Sequence, residues 1–236
     1  MGRRSSKELH RCLDVIRRAL LVCGILASLL YAGMNVFIAG QWEGYSSASQ
    51  TVSELSAIGA PTRALWVRLG IVYTLLMAAF GWGIWRASAR NRPLLVSGVL
   101  LAIYGVLGLF WPPMHLRAVL ASGGATLTDT LHLVWAMLTV VLMVSAIGFA
   151  STAFERGFRR YSIATVLTLL VFGTLTTLDA PSVSANLPTP WIGVWERVNI
   201  AAFLLWVIVF ALHLWPVQHS RGARDAGVSH GHIEAI

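Results

Sequence analysis

Six apolar runs divide the chain, at roughly 19–40, 64–85, 93–111, 127–150, 161–178 and 192–215. Each is close to the ~20 residues a helix needs to cross a hydrocarbon core of about 30 Å. Pro61, Pro93, Pro112, Pro113, Pro181, Pro188, Pro190 and Pro216 all fall at or beyond the ends of these runs. Proline removes a backbone donor and clashes with the preceding turn, so it collects at helix ends. The pattern therefore predicts six uninterrupted transmembrane helices in an all-α bundle. Trp42, Trp66, Trp82, Trp85, Trp111, Trp191, Trp195 and Trp215 lie near the predicted ends, the level an indole prefers in a bilayer. Trp135 and Trp206 are interior and read as packing residues.

Composition strengthens this reading. The 236 residues are 56% hydrophobic and 12% charged, against about 45–50% and about 25% in a soluble domain. A mean hydropathy of +0.69 agrees. The basic residues are all arginine except Lys7, which points to a GC-rich, bacterial genome. Cys12 and Cys23 sit before and just inside the first run, so no disulfide framework is expected.

The net charge of +8 is distributed unevenly. Of the 18 Lys and Arg residues, only Arg63, Arg68, Arg117 and Arg197 fall on one side of the predicted spans. The others occupy the segment 1–18, the second-to-third and fourth-to-fifth connections, and the tail 217–236. The positive-inside rule then places both termini in the cytoplasm of a bacterial inner (plasma) membrane protein. Basic excess of this kind reflects topology rather than nucleic-acid binding. The leader and first run are too long for a removable signal peptide and read as a retained anchor. The tail, with His230 and His232, reads as disordered.

Candidate chemistry gathers in the outward halves of the runs. Asn35, Arg68, Asp129, His132, Glu196 and Asn199 lie there, with Arg197 and Asp179 at run ends. The inward halves hold almost nothing ionisable except His213. Ionisable groups in a bilayer are costly unless they pair or face water. Asp129 and His132, three apart, share a helix face, as do Glu196 and Asn199. Arg68 requires an anion, which Glu196 or Asp129 would supply. Two readings stay open: a structural network tying helices together, or one outward cavity binding a ligand. The second uses Arg68, Asp129, His132, Glu196 and Arg197. In the first outward loop, 41–63, Thr51 and Glu54 have capping-box spacing; alternatively, Ser53 and Glu54 form a lid. His115 and Arg117, in the second outward loop, are candidates for an anionic head group.

The motifs Ser53-Glu54-Leu55, Asp129-x-x-His132 and Gly193-x-x-Glu196-Arg197 occur in this order, after the first run and at the starts of the fourth and sixth. In this the chain, over roughly 20–215, resembles a bacterial family known as domain of unknown function 998. The resemblance implies a six-helix membrane protein and no particular reaction. Ser53, His115, Asp129 and His132 are also similar in kind to the zinc-site residues of alkaline ceramidases and adiponectin receptors. Those families have seven helices and a His-x-x-x-His pair on the last, whereas His213 stands alone here. A zinc site would have to draw on His115 and His132, with Asp129 and Glu196.

Three function classes remain. The first is an outward-facing protein binding a lipid head group or small polar ligand. The second is a membrane-embedded lipid hydrolase, acting by acid–base chemistry at His132 with Asp129 and Glu196, or through a metal. The third is a proton-coupled transporter. An apolar inward half and spans without internal proline weigh against transport, which needs a polar path to both sides.

Overall fold

The computed structural model describes residues 2–88 and 91–228. Its elements are α1 (Gly2–Ala39), a 3-10 turn (Val52–Ser56), α2 (Arg63–Ala87), α3 (Arg92–Gly108), α4 (Arg117–Ala121), α5 (Leu127–Ser151), α6 (Arg156–Ser184) and α7 (Ile192–Val228). No strand occurs among the described residues; Ile58 and His115 form one isolated parallel bridge. Five stretches are long and apolar enough to cross a membrane: Val15–Ala39, Arg63–Ala87, Leu127–Ser151, Arg156–Ser184 and Ile192–Trp215. The third predicted span forms the 17-residue α3, about 25 Å long at 1.5 Å per residue.

Local chemistry sets the ends. Asn91 caps α3, its side chain accepting from the N–H of Leu94 at 3.1 Å, with a proline in the first turn. The helix stops at Gly108, three residues before the predicted end, because Trp111 precedes Pro112 and a residue before proline is pushed out of the helical region. Two predicted ends move the other way. α6 continues through Pro181 to Ser184, where the ring costs one donor, to the carbonyl of Thr177, close to the helix end. α7 continues through Pro216 to Val228. Residues 229–236, with His230 and His232, lie outside the described residues, as does the side chain of Cys12; Cys23 is a free thiol.

The five long helices and α3 form a ring. Each packs on the next in sequence, and α7 closes back on α1. α2 and α3 approach most closely, through glycines: a Cβ on Gly81 would collide with the backbone of Ala102, and one on Gly105 with the backbone of Ala78. Small residues at such a seam let two backbones come together and gain dispersion contacts, the main attraction where lipid is as apolar as protein. The ring is filled mainly by α7, whose Phe203, Trp206 and Phe210 are buried among Phe80, Leu101, Ile147 and Leu169. The indole N–H of Trp206 donates to Ser162 at 3.0 Å, satisfying both buried groups. Trp135 donates to the carbonyl of Leu107 at 3.1 Å. Trp206 is the packing residue predicted, while Trp135 is half-buried and tied to the end of α3 by its hydrogen bond.

Outward from this core the helices are apolar and uncovered. Leu29, Val36 and Phe37 of α1, Leu133, Met137 and Val141 of α5, and Leu167, Leu170 and Val171 of α6 are all exposed. A continuous apolar belt of this size calls for a bilayer around it. The chain is a polytopic helical membrane protein. One end of the bundle is covered by the connections 40–62, 109–126 and 185–191, and the candidate side chains lie at this capped end.

Candidate functional site at the capped end

The first connection folds on its own capping box. Thr51 Oγ1 accepts from the N–H of Glu54 at 3.3 Å, and Glu54 Oε2 accepts from the N–H of Thr51 at 2.7 Å. Glu54 is 1% exposed, and its charge is met by Arg117. Nε donates to Oε1 at 2.6 Å and Nη2 to Oε2 at 2.9 Å. Arg117 also donates to Thr189 Oγ1 at 2.7 Å and to the carbonyl of Ser49 at 2.8 Å. Thr189 in turn donates to Ser49 at 2.8 Å. One guanidinium thus joins all three connections. The two-bond grip is the strong form of an arginine–carboxylate pair.

Glu196, in the second turn of α7, holds the start of the same 3-10 turn. One carboxylate oxygen accepts from the N–H of Val52, the other from Ser53 Oγ at 3.4 Å. A carboxylate beside the free N–H groups that open a helical turn is favourably placed.

Arg197 turns the other way. It donates to the carbonyls of Ser47 at 2.7 Å, Gln50 at 3.1 Å and Gly193 at 3.0 Å, and to Tyr45 Oη at 2.7 Å. Gly193 explains why these carbonyls are within reach. A Cβ there would collide with the carbonyl oxygens of Gln50 and Ser47, so only glycine lets the loop lie on the first turn of α7. Arg197, one turn later, meets the carbonyls so placed. Tyr45 Oη in turn donates to the carbonyl of Thr51 at 2.8 Å. Burial pushes the Tyr45 phenol up to about 12, against the opposing pull of the Arg197 hydrogen bond. The phenol therefore stays protonated at neutral pH.

Among the described residues no carboxylate oxygen lies within 4 Å of the Arg197 guanidinium. Among the described residues its Nε–H and one Nη2–H meet no acceptor. The side chain lines an open depression of about 410 Å³, with Asn35, Val36, Ala39 and Gly40 from the end of α1 and Tyr45 and Ser47 from the loop. Asn35 donates weakly to the carbonyl of Tyr31 at 3.4 Å, and its buried Oδ1 has no partner among the described residues.

A separate group lies where the second connection meets α5. Asp129 closes a capping box with Thr126, accepting from its N–H at 2.8 Å. It also accepts from the N–H of His115 at 2.7 Å and contacts the ring Nδ1 at 2.9 Å. His132 is a turn deeper, bonded through Nδ1 to the carbonyl of Pro112 at 2.8 Å and edge-on to Trp111. Among the described residues no three His, Cys, Asp or Glu side chains converge as metal ligands.

The predicted outward set therefore divides. Ser53, Glu54, Glu196 and Arg197 come together; Asp129 and His132 stand apart with His115 and Pro112. The expected pairing of Arg68 with Glu196 or Asp129 does not form. Arg68 is exposed, beside Val67, Ile71 and Val72, on the side of α2 turned away from the buried Trp66, Tyr73 and Met77. Asn199 donates to the carbonyl of Leu169 at 3.3 Å and links α7 to α6. Sequence reasoning passed over Tyr45 and Thr189 and saw Arg117 only as a head-group candidate. Pro188-Thr189-Pro190 was the available signal for Thr189, a short polar side chain held rigidly between two prolines.

No curated protein and no solved structure matches the chain. A family model described as a protein of unknown function, DUF998, matches residues 25–213, taking in the 3-10 turn with Glu54, the Asp129–His132 pair and the Gly193–Arg197 turn, and the chain belongs to that family.

Proposed function

We propose that this is a six-span protein of the bacterial inner membrane with both termini in the cytoplasm. In this reading the capped end faces outward and binds a lipid head group or small polar ligand in the depression beside Arg197. The orientation rests on the excess of arginine at the opposite end. The binding role rests on one observation: among the described residues, Arg197 is a guanidinium with two N–H groups that meet no acceptor and no carboxylate within 4 Å, lining an open depression. The Glu54–Arg117 pair and the Glu196 contacts are the frame that holds this wall. Arg197 is only partly buried and has the Glu196 carboxylate acting on it at longer range, and a bound anion or strong acceptor would engage the N–H groups it leaves open.

The test is chemical extraction of the purified full-length protein, followed by mass spectrometry of what is released. Wild type is expected to release a lipid or polar molecule that Arg197→Ala and Asn35→Phe, which narrows the depression, recover in much smaller amount. Equal recovery from all three proteins would sink the binding role.

A further inference from the structure

We infer that the group seated at Arg197 is the phosphate of a glycerophospholipid whose acyl chains run along the exposed face of α1. This rests on the binding reading above and names its ligand. The bundle supplies its own comparison. Arg117 grips the Glu54 carboxylate along the guanidinium edge made by Nε and Nη2, in two parallel bonds. On Arg197, Nε has no acceptor among the described residues and Nη2 donates only to Tyr45 Oη, so a two-oxygen ligand takes the free Nε–H and displaces the phenol from Nη2. An edge of this kind takes two oxygens of a carboxylate or phosphate, and among the described residues no carboxylate lies within 4 Å of it.

The neighbouring groups favour phosphate. The exposed Ser47 hydroxyl makes no side-chain hydrogen bond among the described residues, and Asn35 offers an amide whose only bond is weak. With Arg197, the wall presents donors of three kinds, suited to an acceptor-only group with several oxygens. The amide of Asn35 turns over a broad, shallow torsion. Its unpartnered Oδ1 then accepts from the hydroxyl or ammonium that a head group carries beyond its phosphate.

The apolar part of the wall favours a lipid over a free ion. Val36, Ala39 and Gly40 line the depression, and Val36 is 79% and Phe37 60% exposed. Leu29, also exposed, lies seven residues back along α1, about 10 Å deeper into the apolar belt. A phosphate at Arg197 is continuous with a path for acyl chains along the same helix. A soluble phosphate ester would leave that path unused.

The experiment is a titration of the full-length protein, stripped of lipid in detergent, read by native mass spectrometry and by thermal shift. The probes are phosphatidylglycerol, phosphatidylethanolamine, diacylglycerol and glycerol 3-phosphate. The phospholipids are expected to bind at least about tenfold more tightly than either of the others, tenfold being about 1.4 kcal/mol. Arg197→Lys keeps the charge but loses the two-pronged edge, and is expected to weaken phospholipid binding about tenfold. Since Arg197 also holds the loop, Ser47→Ala and Asn35→Leu are measured beside it. Both are expected to weaken binding several-fold with an unchanged melting temperature of the lipid-free protein. Diacylglycerol binding as well as the phospholipids overturns the phosphate while leaving the binding role intact. Glycerol 3-phosphate binding as well overturns the lipid. Phospholipid binding unaffected by Ser47→Ala and Asn35→Leu overturns the site, and no binding by any probe overturns both readings.

Discussion

Arg117 holds Glu54 by two parallel bonds, Nε to Oε1 at 2.6 Å and Nη2 to Oε2 at 2.9 Å, across 63 positions of sequence. The side chains are 13% and 1% exposed, so Glu54 has no water to fall back on and Arg117 little. Removing one partner strands the other. Glu54→Ala and Arg117→Ala are each expected to cost about 3–5 kcal/mol. The double variant should cost much less than their sum, because the second substitution removes an already unpaired charge. A double-mutant cycle by equilibrium unfolding in detergent checks this, and additive losses would show that the pair contributes nothing.

The α2–α3 seam gives a second expectation. A Cβ on Gly105 runs into the backbone of Ala78, and backbone has no rotamer through which to yield. Gly105→Ala is expected to destabilise by about 1–3 kcal/mol, although alanine is the better helix former. Gly148 of α5 has open space at its Cβ, and Gly148→Ala is expected to be neutral or slightly stabilising. Paired melting curves separate seam packing from propensity; equal shifts for the two variants would argue against a tight seam.

The helices were legible because each apolar run is long and bounded by polar residues and proline. Three C-terminal ends were misplaced, each at a proline: Pro112 unwinds the turn before it, Pro181 falls late enough in α6 for the helix to absorb it, and α7 runs on through Pro216. The rotation of each helix was not legible. α2 is apolar on both faces, so nothing in its pattern shows that Trp66 and Tyr73 point inward while Arg68 points out. Spacing along one helix placed Asp129 beside His132, yet Asp129 bonds across to His115, fourteen positions earlier. The Thr51–Glu54 box was readable because both partners are local. Arg117, whose partner is on another connection, was not.

Orientation carries the proposed outward position of the capped end. Reporter fusions after Arg160 are expected to read cytoplasmic, and fusions after Ser47 and Ser184 external. The motivation is the concentration of arginine at the opposite end of the bundle. A cytoplasmic signal at Ser47 would invert the protein and leave the depression facing the cell interior.

Alkaline pH tests the burial of the Tyr45 phenol beside Arg197. Burial holds the Tyr45 phenol at about 12, above the ordinary value near 10 that applies in the unfolded chain. An acid whose folded pKa is raised keeps its proton longer in the folded state, so the unfolded state loses its proton first as pH rises. The sign follows: Tyr45 makes no pH-dependent contribution below about pH 9, and stability falls between about 10 and 12. Tyr45→Phe should lessen that fall, and at neutral pH should cost the bond to the Thr51 carbonyl, about 1 kcal/mol. It also takes the acceptor from Nη2 of Arg197, and so should leave the depression more open to a competing oxyanion. Thermal melts of both proteins from pH 7 to 12 are the measurement. Parallel curves over the alkaline range would mean that Tyr45 is already hydrated in the folded protein and that the wall it forms with Arg197 is loose.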